Sequence, residues 1–154
     1  MKLKVFDIPE DGMEFRASAD DKREPWFRTL IEDAFREDFT KDAKADLDLY
    51  ILRTSDNVQI SGAAHIALKP SCARCMEAFD KKLQVPIHVN LAPHKAMDFE
   101  EDEEAEGGID KEDVAFSFYK GEEIDLDAIV REILLLEIPL RYLCEEDCKG
   151  LCAH

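Results

Sequence analysis

Three runs of alternating apolar and polar residues constrain this 154-residue chain more than any other feature. In the first, Leu47, Leu49 and Ile51 alternate with Asp46, Asp48, Tyr50 and Leu52. In the second, Val58, Ile60, Gly62, Ala64, Ile66 and Leu68 alternate with Gln59, Ser61, Ala63, His65 and Ala67. The third carries Leu83, Val85, Ile87, Val89 and Leu91. A period of two sends successive side chains to opposite faces of a strand, so each run has one face to bury. The polar turn from Thr54 to Asn57 joins the first two runs into an antiparallel hairpin, with strands over 45–53 and 57–68. The third run predicts a strand over 82–91. Gly62 in mid-strand points to a bulge or a close backbone approach, and Pro86, which has no N–H to donate, points to an edge position. Lys69-Pro70 breaks the second run.

Elsewhere the period changes to 3.6. Trp26, Phe27, Leu30, Ile31, Ala34, Phe35 and Phe39 make one apolar stripe, predicting a helix over 24–38 with Pro25 in its first turn. Leu126, Ile129, Val130, Ile133 and Leu134 predict a second helix over 125–138, capped by Asp125 and ended by Pro139. Lys2 to Ile8 reads as a short strand with Leu3 and Val5 on one face, Pro9 to Gly12 as a turn, and Val114 to Tyr119 as a strand carrying Phe116 and Phe118. The expected fold is α+β, one domain over 1–154. Antiparallel strands at 45–53, 57–68, 82–91 and 114–119 form a curved sheet, with partial closure into a barrel left open, and the two helices cover its apolar face.

The charge is lopsided. Thirty-six acidic residues against 20 basic give a net charge of −16. Binding to nucleic acid through phosphates needs clustered Lys and Arg, so this surface disfavours DNA and RNA and suits basic proteins. Residues 98–113 hold ten Asp or Glu and one Lys, hence 1 − 10 = −9, with Gly107-Gly108 inside. Such a stretch is expected to be a solvated, flexible loop, compatible with a docking arm for a basic protein. No apolar run exceeds four residues, as at Ile133 to Leu136, so no membrane span is expected. The N-terminus does not read as a signal peptide, and a cytoplasmic location is expected.

The five cysteines fall in two clusters about seventy residues apart. Cys72 and Cys75 form a C-x2-C, and Cys144, Cys148 and Cys152 form a C-x3-C-x3-C. In a reducing compartment, closely spaced thiols point to metal or redox chemistry rather than to disulfides. Two turns from distant parts of a chain can converge four thiolates on one tetrahedral ion. The set chosen on spacing is Cys72, Cys75, Cys148 and Cys152, with Cys144 in reserve and zinc as the metal; the clusters then meet at one end of the sheet. Lys149-Gly150 allows the tight turn that convergence needs. Two other readings stay open: free thiols packed as small hydrophobes, and a redox pair at Cys72 and Cys75. For the latter the context is poor, because Lys69-Pro70 precedes the pair and another strand follows.

His65 and His88 alternate with buried-face residues and are expected to face solvent; His94 lies in a loop, and His154 is a weak candidate ligand at the C-terminus. No Walker loop, dinucleotide glycine fingerprint, G-x-S-x-G or H-E-x-x-H occurs, so no catalytic residues are assigned and no enzyme is expected.

Cys72-Ala73-Arg74-Cys75-Met76-Glu77-Ala78-Phe79 resembles the C-x-R-C-L-E-x-F signature of the YceD-like family, the large ribosomal RNA subunit accumulation proteins. Asp125-Leu126, Glu132, Ile133, Pro139 and the run from Cys144 through Cys148-Lys149-Gly150-Leu151-Cys152 resemble that family's C-terminal signature. The order of elements over residues 45–154 is also similar. Many members carry a further cysteine and glycine beyond the last matched cysteine, which this sequence lacks. The resemblance implies a role in accumulating 23S ribosomal RNA and in assembling the large subunit; the family's gene often neighbours that of a small, basic large-subunit ribosomal protein.

Three function classes follow. The first is a non-catalytic assembly factor that contacts a basic large-subunit ribosomal protein or a pre-ribosomal particle. The second is a zinc-ribbon-like RNA-binding module using Arg74, Lys81, Lys82, Arg141 and Lys149. The third is a zinc- or thiol-dependent enzyme or redox sensor.

Overall fold

A computed structural model describes residues 1–22, 25–94 and 116–151. In chain order the elements are β1 (Lys2–Lys4), a 3-10 turn at Val5–Asp7, β2 (Met13–Ser18), α1 (Trp26–Phe35), a 3-10 turn at Arg36–Asp38, β3 (Ala45–Thr54), β4 (Asn57–Leu68), β5 (Lys81–Pro93), β6 (Phe116–Tyr119), β7 (Glu123–Asp125) and α2 (Leu126–Glu137). The expected acidic loop at 98–113 lies outside the described residues.

The alternating runs become the centre of a five-stranded sheet ordered β2-β3-β4-β5-β6. Leu47, Leu49 and Ile51 of β3, Val58, Ile60, Ala64 and Ile66 of β4, and Val85, Ile87 and Leu91 of β5 are all buried. Asp46, Asp48, His65 and His88 face outward. The β3–β4 register runs unbroken from Ala45↔Ile66 to Thr54↔Asn57, so Gly62 marks no bulge. It marks a close approach: its φ is +152°, and a Cβ there would sit 2.1 Å from the Asp48 carbonyl oxygen.

Pro86 pairs with Ala63 on the β4 side, whereas β6 meets β5 only over Asn90–Pro93. Pro86 therefore lies where the outer side of β5 carries no ladder among the described residues, which is where a strand tolerates a missing N–H.

Barrel closure, left open by the sequence, does not occur, and two expectations are corrected. Among the described residues the sheet has two edges, at β2 and β6. Closure is one way to bury an apolar face, and here α1 and α2 cover that face instead. β6 pairs parallel to β5, not antiparallel. Parallel pairing needs a long connection back along the sheet, which strand-by-strand pattern reading does not supply. The first strand ends at Lys4, and β1 joins β7 in a separate antiparallel pair, Lys2↔Asp125 to Lys4↔Glu123. β2 went unassigned, although Met13, Phe15 and Ala17 do alternate with Glu14, Arg16 and Ser18.

Both helices behave as their stripes require. α1 buries Phe27, Leu30, Ile31 and Phe35, each worth roughly 1.5–3 kcal/mol of transfer free energy. α2 buries Leu126, Val130 and Leu134. The Asp125 side chain caps α2 by accepting from the Ala128 N–H at 3.3 Å, and Ile138 before Pro139 closes it. These helix residues share one hydrophobic cluster with the sheet's buried face.

Candidate metal centre

The loop from Pro70 to Phe79 is folded by its own backbone. The Cys72 N–H donates to the Glu77 carbonyl at 2.8 Å, Met76 N–H to Cys72 at 2.9 Å, and Phe79 N–H to Pro70 at 3.0 Å. Ser71 and Ala78 form an isolated antiparallel bridge. Met76 closes the loop with φ +63°, a conformation that a residue with a Cβ adopts at a cost. Cys72 is buried in this loop and Cys75 is half-buried.

The second loop begins where α2 stops. The Ala73 N–H donates to the Tyr142 carbonyl at 2.8 Å, tying the two loops together, and Cys148 N–H donates to Glu145 at 3.1 Å. Arg74 adds a second tie: its Nη1 donates to the carbonyls of Glu146 at 3.1 Å and Cys148 at 3.0 Å. Gly150, with φ +80°, lets the chain turn against the Arg74 carbonyl, 3.4 Å from where a Cβ would lie.

These constraints gather Cys72, Cys75, Cys144 and Cys148, with all four Sγ atoms within 4.8 Å of one another. The Cys72 and Cys148 sulfurs are 3.7 Å apart, and those of Cys75 and Cys144 are 3.8 Å apart. A tetrahedral ion bound at the usual Zn–S distance of about 2.3 Å needs ligand sulfurs about 3.8 Å apart. Two opposite edges of the tetrahedron thus already have the required length. The four thiols could hold one metal ion.

The local electrostatics suit a cation. The Cys72 thiol is lowered from 9.0 to about 6, because the backbone amides of Cys75, Cys144 and Arg74 point at its sulfur. The Arg74 N–H lies 3.5 Å from it. Cys75 is raised: the Glu77 amide favours its thiolate, but burial and the neighbouring Cys72 sulfur outweigh that. Cys144 is pushed up to about 12 by its hydrogen-bonded neighbours Cys148 and Cys72 and by burial. Four crowded sulfurs cannot all ionise side by side; a soft divalent ion at their centre removes that conflict.

Cys144, the reserve on spacing, is therefore a member of the quartet. Its three-residue spacing to Cys148 is the same as that from Cys148 to Cys152, so spacing could not rank the two. Cys152 and His154 lie outside the described residues. His65 and His88 stand exposed on the outer sheet face as expected, and His94 meets Phe118 edge-on at 6.1 Å.

The five candidate RNA-contacting cations, Arg74, Lys81, Lys82, Arg141 and Lys149, are all exposed. Within 71–82 and 141–149 they are matched by five carboxylates: Glu77, Asp80, Glu145, Glu146 and Asp147. Arg74 is engaged with carbonyls of the second cysteine loop. Replacing it with alanine is expected to weaken metal affinity by roughly 10–100-fold, as loss of a supporting partner typically does. Arg74→Lys should recover only part of this, since a shorter, flexible stem does not hold its nitrogen in the fixed place from which the Arg74 Nη1 donates to both carbonyls. Competition with a chromogenic chelator would measure both.

Among the described residues no helix is long and apolar enough to cross a membrane. No solved structure matches the chain. Among curated proteins it is 28% identical to "Uncharacterized protein ML1660" of Mycobacterium leprae over 113 residues, covering 73% of this chain and 48% of the relative. It is 30% identical to "Uncharacterized protein Mb2951c" of Mycobacterium bovis over 111 residues, covering 71% and 49%. The chain thus spans about half the length of the curated relatives it matches. The model of the family described as large ribosomal RNA subunit accumulation protein YceD matches residues 60–154, which takes in both cysteine loops. With that match over more than half of its length, the chain belongs to the YceD family.

Proposed function

We propose that this protein is a non-catalytic factor in large ribosomal subunit biogenesis that promotes 23S ribosomal RNA accumulation. It acts through contact with a basic ribosomal protein or a pre-ribosomal particle, in the cytoplasm. Its cysteine quartet holds a structural zinc ion. The observation that carries this reading is the family match across the half of the chain that builds the quartet.

Three further features support it. A site made of four thiolates leaves a tetrahedral ion no open position for a substrate or water, which is the mark of structural rather than catalytic zinc. The net charge of −16 favours a basic partner over a polyanion. The cations near the centre are balanced by as many carboxylates, which speaks against a direct phosphate-binding face.

The test is the ratio of 23S to 16S ribosomal RNA in cells depleted of this protein. The expected outcome is a selective fall in 23S that the full chain restores. An unchanged ratio would remove the assembly role. Zinc content of the purified chain, measured separately, tests the metal assignment: about one ion per chain is expected.

A further inference from the structure

We propose that the cysteine quartet is also an oxidation site, at which hydrogen peroxide converts the four thiols into two disulfides that join the loops, Cys75 to Cys144 and Cys72 to Cys148, and sets the metal ion free. This rests on the reading of the quartet as a zinc centre, and it names what opens that centre.

The pairing comes from the sulfur positions. All four Sγ atoms lie within 4.8 Å of one another, but two pairs are in direct contact. Cys72 and Cys148 are 3.7 Å apart, and Cys75 and Cys144 are 3.8 Å apart. Each contact takes one sulfur from either loop, and no sulfur is used twice. A disulfide needs about 2.05 Å, so each pair closes by a further movement of less than 2 Å. Both links then run between the loops, across 76 and 69 positions of the chain.

Access sets the order. Cys144 is exposed, Cys75 and Cys148 are half-buried, and Cys72 is buried. A small oxidant therefore meets Cys144 first, with Cys75 directly beside it. A reachable cysteine with a second thiol poised next to it is the arrangement that redox-sensing thiols use. The inner pair follows once the ion has lost two of its ligands. Zinc keeps a single oxidation state, so every electron comes from sulfur.

The step balances as follows. The Cys144 thiolate attacks one oxygen of hydrogen peroxide; an S–O bond forms, the O–O bond breaks, and the departing hydroxide takes a proton. Cys144 is now a sulfenic acid. The Cys75 thiolate attacks its sulfur; the S–S bond forms, the S–O bond breaks, and a second hydroxide leaves as water. Two electrons have passed from the pair to the peroxide. Cys72 and Cys148 repeat the sequence with a second peroxide. In sum, four zinc-bound thiolates, two peroxides and four protons give two disulfides, one free zinc ion and four waters.

The test titrates the full zinc-loaded chain with hydrogen peroxide while a chromogenic chelator reads the free metal. About two equivalents of peroxide are expected to release about one zinc ion per chain, and a dithiol with added zinc should restore the reduced, loaded state. Pairing is read by mass spectrometry after the remaining thiols are alkylated. Trypsin cuts after Arg74 and a glutamate-specific protease after Glu145 and Glu146, so the four cysteines fall on separate peptides. The Cys75–Cys144 link should dominate at one equivalent, and both links should be present at two. The oxidised, zinc-free chain should melt above the reduced, chelated one, since two long-range links constrain the unfolded chain. Cys152→Ser should give the same two links.

Disulfides within the loops, Cys72 to Cys75 or Cys144 to Cys148, would overturn the proposal. So would a link to Cys152, sulfinic or sulfonic acids in place of disulfides, or an oxidised chain that melts below the reduced, chelated one. The zinc reading fails separately. A purified chain that holds no zinc yet forms the same two links removes the zinc assignment and leaves the oxidation site standing. A chain that holds about one zinc ion and keeps it through the titration, with its thiols free, removes the oxidation site and leaves the zinc reading standing. The 23S to 16S ratio decides the assembly role independently of both.

Discussion

On the proposed zinc assignment, a Cys72→Ser chain is expected to lose the ion and to melt about 10 °C below the unsubstituted protein. Cys72 is the fully buried member of the quartet, and its sulfur receives the converging backbone amides. Serine offers a hard, protonated oxygen where the ion needs a thiolate. An ion bound a thousand-fold below its free concentration stabilises the folded state by about 4 kcal/mol, and in a chain of this size each kcal/mol shifts the melting temperature by about 2–4 °C. Two controls isolate the metal from the packing. Cys144→Ser alters an exposed residue and should release the ion with little change in burial. A chelator should bring the unsubstituted protein down to the melting temperature of the variants. If the chelator leaves that temperature unchanged, or if Cys72→Ser retains a full equivalent of zinc, the four-thiolate assignment is wrong.

Gly62→Ala is expected to cost about 3 kcal/mol or more, which corresponds to a fall of about 6–12 °C in melting temperature. Gly62 lies in the central strand, opposite Leu49 on one side and Ile87 on the other. An added Cβ would meet the Asp48 carbonyl oxygen at 2.1 Å and the Leu49 Cα at 2.9 Å. Both are backbone atoms, so relief requires two sheet strands to separate. Gly121 is the matched control. It also has a positive φ, +72°, but nothing lies within 4 Å of its added Cβ. Gly121→Ala should therefore cost only the conformational penalty, about 1 kcal/mol. Chemical denaturation of the two variants side by side would distinguish steric conflict from loss of glycine's freedom. Equal costs would mean that β3 and β4 yield easily at this crossing.

The three alternating runs were enough to place β3, β4 and β5, because a period of two with one apolar face has only one way to bury itself. The Trp26 to Phe39 and Leu126 to Leu134 stripes placed both helices for the same reason. Asp125 and Pro139 marked the limits of α2 through chemistry that acts within one turn. Local rules of this kind reach only a few residues. Hence β1 and β7, three residues each and about 120 apart, could not be paired in advance. Nor could the parallel seating of β6, which depends on a connection rather than on a pattern.

The cysteine centre divides along the same line. Residue type and clustering alone determined that two thiol-rich turns exist and that soft-metal chemistry is their natural use. That the four described thiols meet at one point was decided only by the tertiary structure. The Ala73–Tyr142 hydrogen bond and the Arg74 clamp on Glu146 and Cys148 bring Cys144 and Cys148 up to Cys72 and Cys75. Spacing is a one-dimensional quantity and is the same on either side of Cys148. That Cys144 joins the group rests on hydrogen bonds between segments some seventy residues apart, and those form only once the sheet and α2 have set the two loops face to face.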